Sequence, residues 1–191
     1  MGRNVNQVIA LAPSHDHWPK QLQTRLGTSA PSRLWTMGDP GILAERKIAL
    51  FCSVRCPGDA ILGAYDSARK LRDEGMTVVS GFHSPVEKEC LRILLRGKQP
   101  IVICLARAFG KIRLPSDWRG ALESGRLLLL STFEKWPPRP DKNSTAYRNE
   151  CVAALSEEVL IIHATPGGEI ERIAQLIGDW SVPRRQMGKE F

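Results

Sequence analysis

The 191-residue sequence predicts an α/β fold of the Rossmann-like, doubly wound type, a mainly parallel sheet with helices on both faces. Three observations carry this. Five short runs are apolar with Thr77 as the one polar residue among them, instead of alternating, as strands covered on both faces must be. The segments between them are long enough for helical crossovers. Those segments also carry helix start and stop residues at their two ends.

The runs are residues 48–52, 76–79, 101–105, 127–130 and 159–162. Pro57 opens the first helix, which continues through Ile61, Tyr65, Ala68 and Leu71 until Gly75 stops it. The second begins at Ser84-Pro85-Val86-Glu87, where Ser84 caps, Pro85 fits the first turn and Glu87 reaches back as a capping box; Gly97 closes it. A third spans residues 116–123 and ends near Gly125. A fourth carries Tyr147, Cys151, Ala154 and Leu155 on one face. The last places Ile170, Ile173, Ala174 and Ile177 at helical spacing.

Beyond it, residues 180–182 read as a short edge strand ended by Pro183. Residues 184–191 are expected to form a mobile basic tail. Residues 1–45 contain Pro13, Pro19, Pro31 and Pro40 with little periodicity, and are read as an N-terminal arm packed on the domain of residues 46–183.

Composition agrees with one globular domain: 42% of residues are hydrophobic and 25% charged, which excludes disorder as the default. The five cysteines are an odd set, read as reduced core residues. Cys52 and Cys56 have no second pair to complete four ligands, so neither metal nor cofactor is expected. No basic stretch precedes a long apolar run, and no run reaches the ~18 residues of a membrane span, so a cytoplasmic protein without membrane attachment is expected. The net charge of +7 favours an anionic partner.

Ligands of open α/β sheets bind outside the carboxyl ends of the strands. That rule nominates Ser53 and Arg55 after the first strand and Ser80 and Gly81 after the second. Arg107, Lys111 and Arg113 follow the third. After the fourth come Lys135, Arg139 and Lys142, then Arg148 and Asn149, expected at the start of the next helix. The fifth is followed by His163, Thr165, Gly167 and Gly168. Basic residues thus gather on one rim, where helix N-termini also face an anion. Gly167-Gly168 is either a close approach to a phosphate or a tight turn. Trp118 and Trp136 near the basic loops either stack on bases or pack.

Several chemistries find no support. No Walker lysine follows the glycines, and the three-glycine dinucleotide fingerprint is missing. There is no G-x-S-x-G elbow, and the four histidines are scattered. Glu87, Glu169 and Glu171 are explained as first-turn helix residues.

The ordered motifs resemble those of the bacterial DNA-processing protein A (DprA/Smf) family, as a stand-alone Rossmann-like domain. Trp18-Pro19-x-x-Leu22 is similar to its Y-P-x-x-L, and Leu34-Trp35-x-Met37-Gly38 to its L-Y-x-x-G. Ser53-Val54-Arg55 stands at its G-[ST]-R, and Val78-Val79-Ser80-Gly81 at its V-V-S-G. Arg148-Asn149 falls in its R-R-N-R segment, and Val159-Leu160-Ile161-Ile162-His163-Ala164 resembles V-L-V-V-E-A. His83-Ser84-Pro85-Val86-Glu87 departs from the family's A-R-G-I-D.

The resemblance implies a Rossmann-like domain that binds single-stranded DNA in a basic pocket, forms a homodimer and hands DNA to a RecA-type recombinase during transformation. In it Arg55 and Arg148 contact phosphates, Ser80, Gly81, Gly167 and Gly168 shape the pocket floor, and Asn149 orders it. The expected function is therefore non-enzymatic DNA processing through single-stranded DNA binding, with Ser53, Lys111 and Arg113 also on the binding rim. The alternatives are a nucleotide-binding sensor, or a nucleoside-monophosphate phosphoribohydrolase of the lysine-decarboxylase-like kind, whose P-G-G-x-G-T motif Pro166-Gly167-Gly168 resembles at its start.

Overall fold

The structure is a computed structural model that describes residues 7–110, 114–135 and 137–185. Lys111, Arg113 and Trp136, singled out from the sequence, lie outside the described residues.

Among the described residues eight strands form one sheet in the order β1-β2-β6-β5-β4-β3-β7-β8. Its centre is parallel: β3 (Lys47–Cys52), β4 (Thr77–Ser80), β5 (Ile101–Leu105), β6 (Leu127–Ser131) and β7 (Glu158–His163). These are the five apolar runs, and burial explains their composition. In β3, Ile48, Leu50 and Cys52 enter one core while Ala49 and Phe51 enter the other. Every side chain of such a strand leaves water, and a large apolar one contributes about 1.5–3 kcal/mol by doing so.

Helices α2 (Gly58–Asp73), α3 (Pro85–Leu95) and α4 (Ser116–Glu123) cover one face through Ala64, Ala68, Leu71, Cys90, Leu94 and Leu122. Helices α1 (Gln21–Leu26), α5 (Lys142–Leu155) and α6 (Glu169–Asp179) cover the other through Leu22, Val152, Ile173 and Ile177. The fold is thus the doubly wound α/β arrangement that the apolar runs predicted.

The two ends of the chain differ from expectation. The segment read as an arm supplies β1 (Val8–Leu11) and β2 (Leu34–Gly38), and β2 pairs antiparallel with β6. It is tied down further by Arg25, whose guanidinium donates to the Ala154 and Ser156 carbonyls at the C-terminus of α5, where a helix accepts a cation. At the other end residues 180–182 are a turn, with Ser181 at φ 55°. The edge strand follows Pro183 as β8 (Arg184–Arg185), parallel to β7. No described helix is long and apolar enough to cross a membrane.

Strand β3 is the first of the parallel set, and the chain winds from it towards β6 before returning to its other side at β7. The carboxyl ends of β3, β4 and β7 therefore surround the switch point where such sheets place ligands.

Candidate functional site

A pocket of about 280 Å³ opens at that switch point, lined by residues after β3 (Cys52 to Arg55), after β4 (His83, Ser84, Glu87), on α5 (Thr145, Arg148, Asn149) and after β7 (Thr165, Gly168 to Ile170). Its β3 wall is shaped by a bulge: Phe51 pairs with Ile161, but Cys52 pairs with His163. The Ser53 amide then donates to the His163 carbonyl at 2.9 Å, and Ser53 Oγ accepts from the Thr165 amide at 3.0 Å. Ser53 thus staples the β3 loop to the β7 loop.

Glu87 does the same between β3 and β4. The capping box expected from the sequence is present, with Ser84 Oγ accepting from the Glu87 amide at 3.2 Å and Glu87 Oε2 accepting from the Ser84 amide at 3.1 Å. The carboxylate also accepts from the His83 amide at 2.8 Å and, through Oε1, from the Cys52 amide at 2.9 Å. The last bond was not legible as helix capping. Glu87 is 5% exposed, and backbone donors engage both of its oxygens.

Helix α5 begins earlier than expected. Asp141 caps it, exchanging bonds with Ser144 in a capping box in which serine replaces the usual Glu or Gln. Arg148 and Asn149 therefore sit well inside the helix, on the face that also carries Thr145, instead of at its start.

Arg148 is only 5% exposed. Its Nε donates to Asn149 Oδ1 at 3.0 Å and its Nη1 to the Cys104 carbonyl at 3.3 Å. A guanidinium has five N–H groups, and among the described residues the rest find no acceptor. Burial pushes its pKa down from the ordinary arginine value, opposed first by the Glu87 carboxylate. Asn149, 6% exposed, uses its oxygen on Arg148, and its amide nitrogen has no acceptor among the described residues.

Helix α6 presents its N-terminus to the pocket, and its Gly168 cap contributes no side-chain hydrogen bond. Two acidic residues stand in that first turn, each already engaged. Glu169 makes a two-point ion pair with Arg172, which also holds Glu150 at 2.8 Å. Glu171 accepts from the Gly167 amide at 2.7 Å. The Gly167 N–H, expected to shape the pocket, is thus taken by a carboxylate of its own helix.

Of the residues nominated from the sequence, Ser53, Arg55, Arg148, Asn149 and Gly168 line the pocket. Gly81 lies beneath Arg148. Ser80 is fully buried, its Oγ accepting from the Phe82 amide at 3.1 Å, so it supports the β4 turn from below. Phe82 takes φ 46° in that turn. Thr165, nominated after the fifth strand, lines the pocket as well, while sequence reading missed His83 and Thr145 as pocket residues; His83 follows a nominated strand end, and Thr145 stands one turn before Arg148 on α5. Arg55, Arg107, Lys135, Arg139 and Lys142 make no ion pair among the described residues.

Burial pushes the His83 imidazole below its ordinary pKa, helped by Arg148 and Lys88 and opposed by Glu87. The Cys104 thiol is pushed up to about 12 by burial, with Arg148 opposing, so it stays protonated and is no nucleophile at neutral pH. Among the described residues no group of three or more His, Cys, Asp or Glu is placed to hold a metal ion.

Comparison with known proteins gives this arrangement a family. DNA processing protein A from Helicobacter pylori, in a structure concerned with that protein's single-stranded DNA binding mode, superposes with a TM-score of 0.75 at 24% identity, over 97% of this chain and 84% of that one. DNA processing protein A from Streptococcus pneumoniae superposes with a TM-score of 0.69 at 18% identity, over 89% of this chain and 60% of that one. At these identities the likeness is one of fold. No curated protein matches the chain. The family model for DNA recombination-mediator protein A matches residues 9–170, and the chain therefore belongs to the DNA recombination-mediator protein A family.

Proposed function

We propose that this chain is a DNA-processing protein that binds single-stranded DNA, holding strand phosphate in the pocket at the carboxyl ends of β3, β4 and β7. One observation carries the reading. Arg148 is a cation 5% exposed as a residue whose remaining N–H groups have no protein acceptor among the described residues and keep some exposure, so an anion entering the pocket would complete its hydrogen bonding. Arg55 at the rim adds a second cation, Ser53, Asn149 and Gly168 supply polar contacts, and Gly81 and Ser80 hold the floor in place. The DNA-binding relative from Helicobacter pylori supports the choice of ligand. Lys111 and Arg113, which follow β5 in the sequence, are carried as part of the same proposed rim. The homodimer and the RecA-type recombinase partner that the family resemblance implies are carried as further parts of this proposal.

Binding is proposed without catalysis. The oxygens of Glu87 are held by backbone donors and Glu171 is bound to Gly167, so neither is poised to exchange a proton with a nucleotide.

Fluorescence polarisation with a short labelled thymidine strand tests the proposal. Affinity should fall steeply with added salt as condensed counterions are released, and Arg55→Ala should weaken it further. Absence of binding at low salt, or unchanged affinity in the Arg55→Ala protein, would overturn it.

A further inference from the structure

We propose that the pocket is built for a phosphomonoester, the terminal phosphate of a strand or of a free nucleotide, and not for the diester of a strand passing through. The inference rests on the reading of the pocket as a nucleic-acid phosphate site.

The first argument is shape. Ser53, through its bonds to His163 and Thr165, closes the seam between the β3 and β7 loops. The Cys52 to Glu87 bond closes the seam between β3 and β4. Arg148, pressed on Gly81, forms the floor. The exposed part of the lining, Val54, Arg55 and His83, borders the mouth. At about 280 Å³ the pocket lies at the low end of the ~300–1,000 Å³ of small-molecule sites. A diester seated on the Arg148 floor must lead two flanking nucleotides out past these walls, whereas a terminal phosphate leads out one.

The second argument is the donor set. Three kinds of N–H lack an acceptor among the described residues: the remaining guanidinium groups of Arg148, the amide nitrogen of Asn149, and the first-turn amides of the eleven-residue helix α6. Arg148 and Asn149 are both more than nine-tenths buried as residues, while their unpaired nitrogens keep some exposure and can be reached by a ligand in the pocket they line. A diester offers two unesterified oxygens and one charge. A monoester offers three oxygens and a charge of about −1.5 to −2 at neutral pH, which matches donors converging from three directions.

The third argument concerns charge. Carboxylates at the pocket would repel such an anion if free, but Glu87 is saturated by backbone N–H groups and Glu169 is paired with Arg172. Both line the pocket and act on Arg148, yet each is already engaged by donors of the protein, which lowers the repulsion an anion would meet.

The test uses the full chain and four probes: one thymidine strand with hydroxyl ends, the same strand phosphorylated at one end or at the other, and free thymidine monophosphate as competitor. The expected result is at least about tenfold tighter binding of one phosphorylated strand, the gain from a charge-assisted hydrogen bond or two. That preference should vanish in Arg148→Met and, as a second variant, in Asn149→Ala. If the mononucleotide competes poorly, the source is a strand terminus. If it binds and displaces every strand, the source is a free nucleotide. Equal affinity for hydroxyl and phosphorylated strands, with no effect of the mononucleotide, would overturn the monoester inference and leave strand binding intact. If no strand and no mononucleotide binds, both ideas fall.

Discussion

Arg148 packs so closely on the backbone of Gly81 that a Cβ at position 81 would fall 1.4 Å from its Nη1 and 2.0 Å from its Cζ. The end of β4 and the middle of α5 thus share one volume, and glycine is required there for close approach. Gly81→Ala is therefore expected to evict the guanidinium from the pocket floor. The overpacking should cost about 1–3 kcal/mol, and strand affinity should fall with it. Thermal melting and polarisation titration on the same sample check the pairing of the two effects. A Gly81→Ala protein that binds as tightly as the parent would contradict this account of the floor.

Arg148→Met separates stability from binding. The guanidinium is buried, with its pKa lowered first by that burial, and it makes no ion pair among the described residues. An apolar chain of similar length removes the desolvation cost, so the melting temperature should hold within a few degrees or rise. Strand affinity should drop by about tenfold or more. Joint loss of both would assign Arg148 to the framework instead of the site.

Glu87→Gln is expected to destabilise the fold. Its carboxylate accepts from the Cys52, His83 and Ser84 amides, and an amide side chain would turn a donor towards at least one of them. At about 1–3 kcal/mol per unsatisfied buried donor, a loss of roughly 2–4 kcal/mol follows. That is a fall of about 5–15 °C in melting temperature for a chain of this size. Differential scanning calorimetry reads it directly.

These residues also show what the sequence makes legible. The extent of β5, Ile101–Leu105, and of α4, Ser116–Glu123, agrees with the sequence reading to the residue, because an apolar run and a glycine stop are local signals. The capping of α3 by Ser84 and Glu87 is local in the same way. The bond from Cys52 to Glu87 spans 35 positions, and no pattern within a helix announces it. Strands β1 and β2 escape a sequence reading because they lie among prolines in a segment with little periodicity, and β2 is fixed as a strand by its antiparallel register with β6. Strand β8 consists of two arginines, the kind of residue that suits an exposed edge and hides it from any hydrophobicity reading. The depth of Arg148 in its helix is hidden because a serine stands where the capping box normally has Glu or Gln.

His83 gives the pocket a pH dependence. In the free protein partial burial holds its pKa below the ordinary value, with Arg148 and Lys88 adding to the effect and Glu87 opposing it. A bound phosphate cancels the field of Arg148 and raises that pKa, so binding takes up a proton. For a strand with hydroxyl ends, whose diesters keep their charge over this range, affinity should therefore rise as pH falls through the bound-state pKa and level off below the free-state one, within roughly pH 7 to 5 where imidazole titrates. His83→Asn should flatten the dependence. An unchanged profile in that variant would place the titrating group elsewhere.

The central claim is that nucleic-acid phosphate sits at the β3, β4 and β7 ends. A crystal structure of the full chain with a short thymidine strand phosphorylated at one end tests it most directly. The account predicts a phosphate within hydrogen-bond distance of the Arg148 guanidinium, the Asn149 amide nitrogen and the first-turn amides of α6. A strand lying on another surface with this pocket left to water would contradict it.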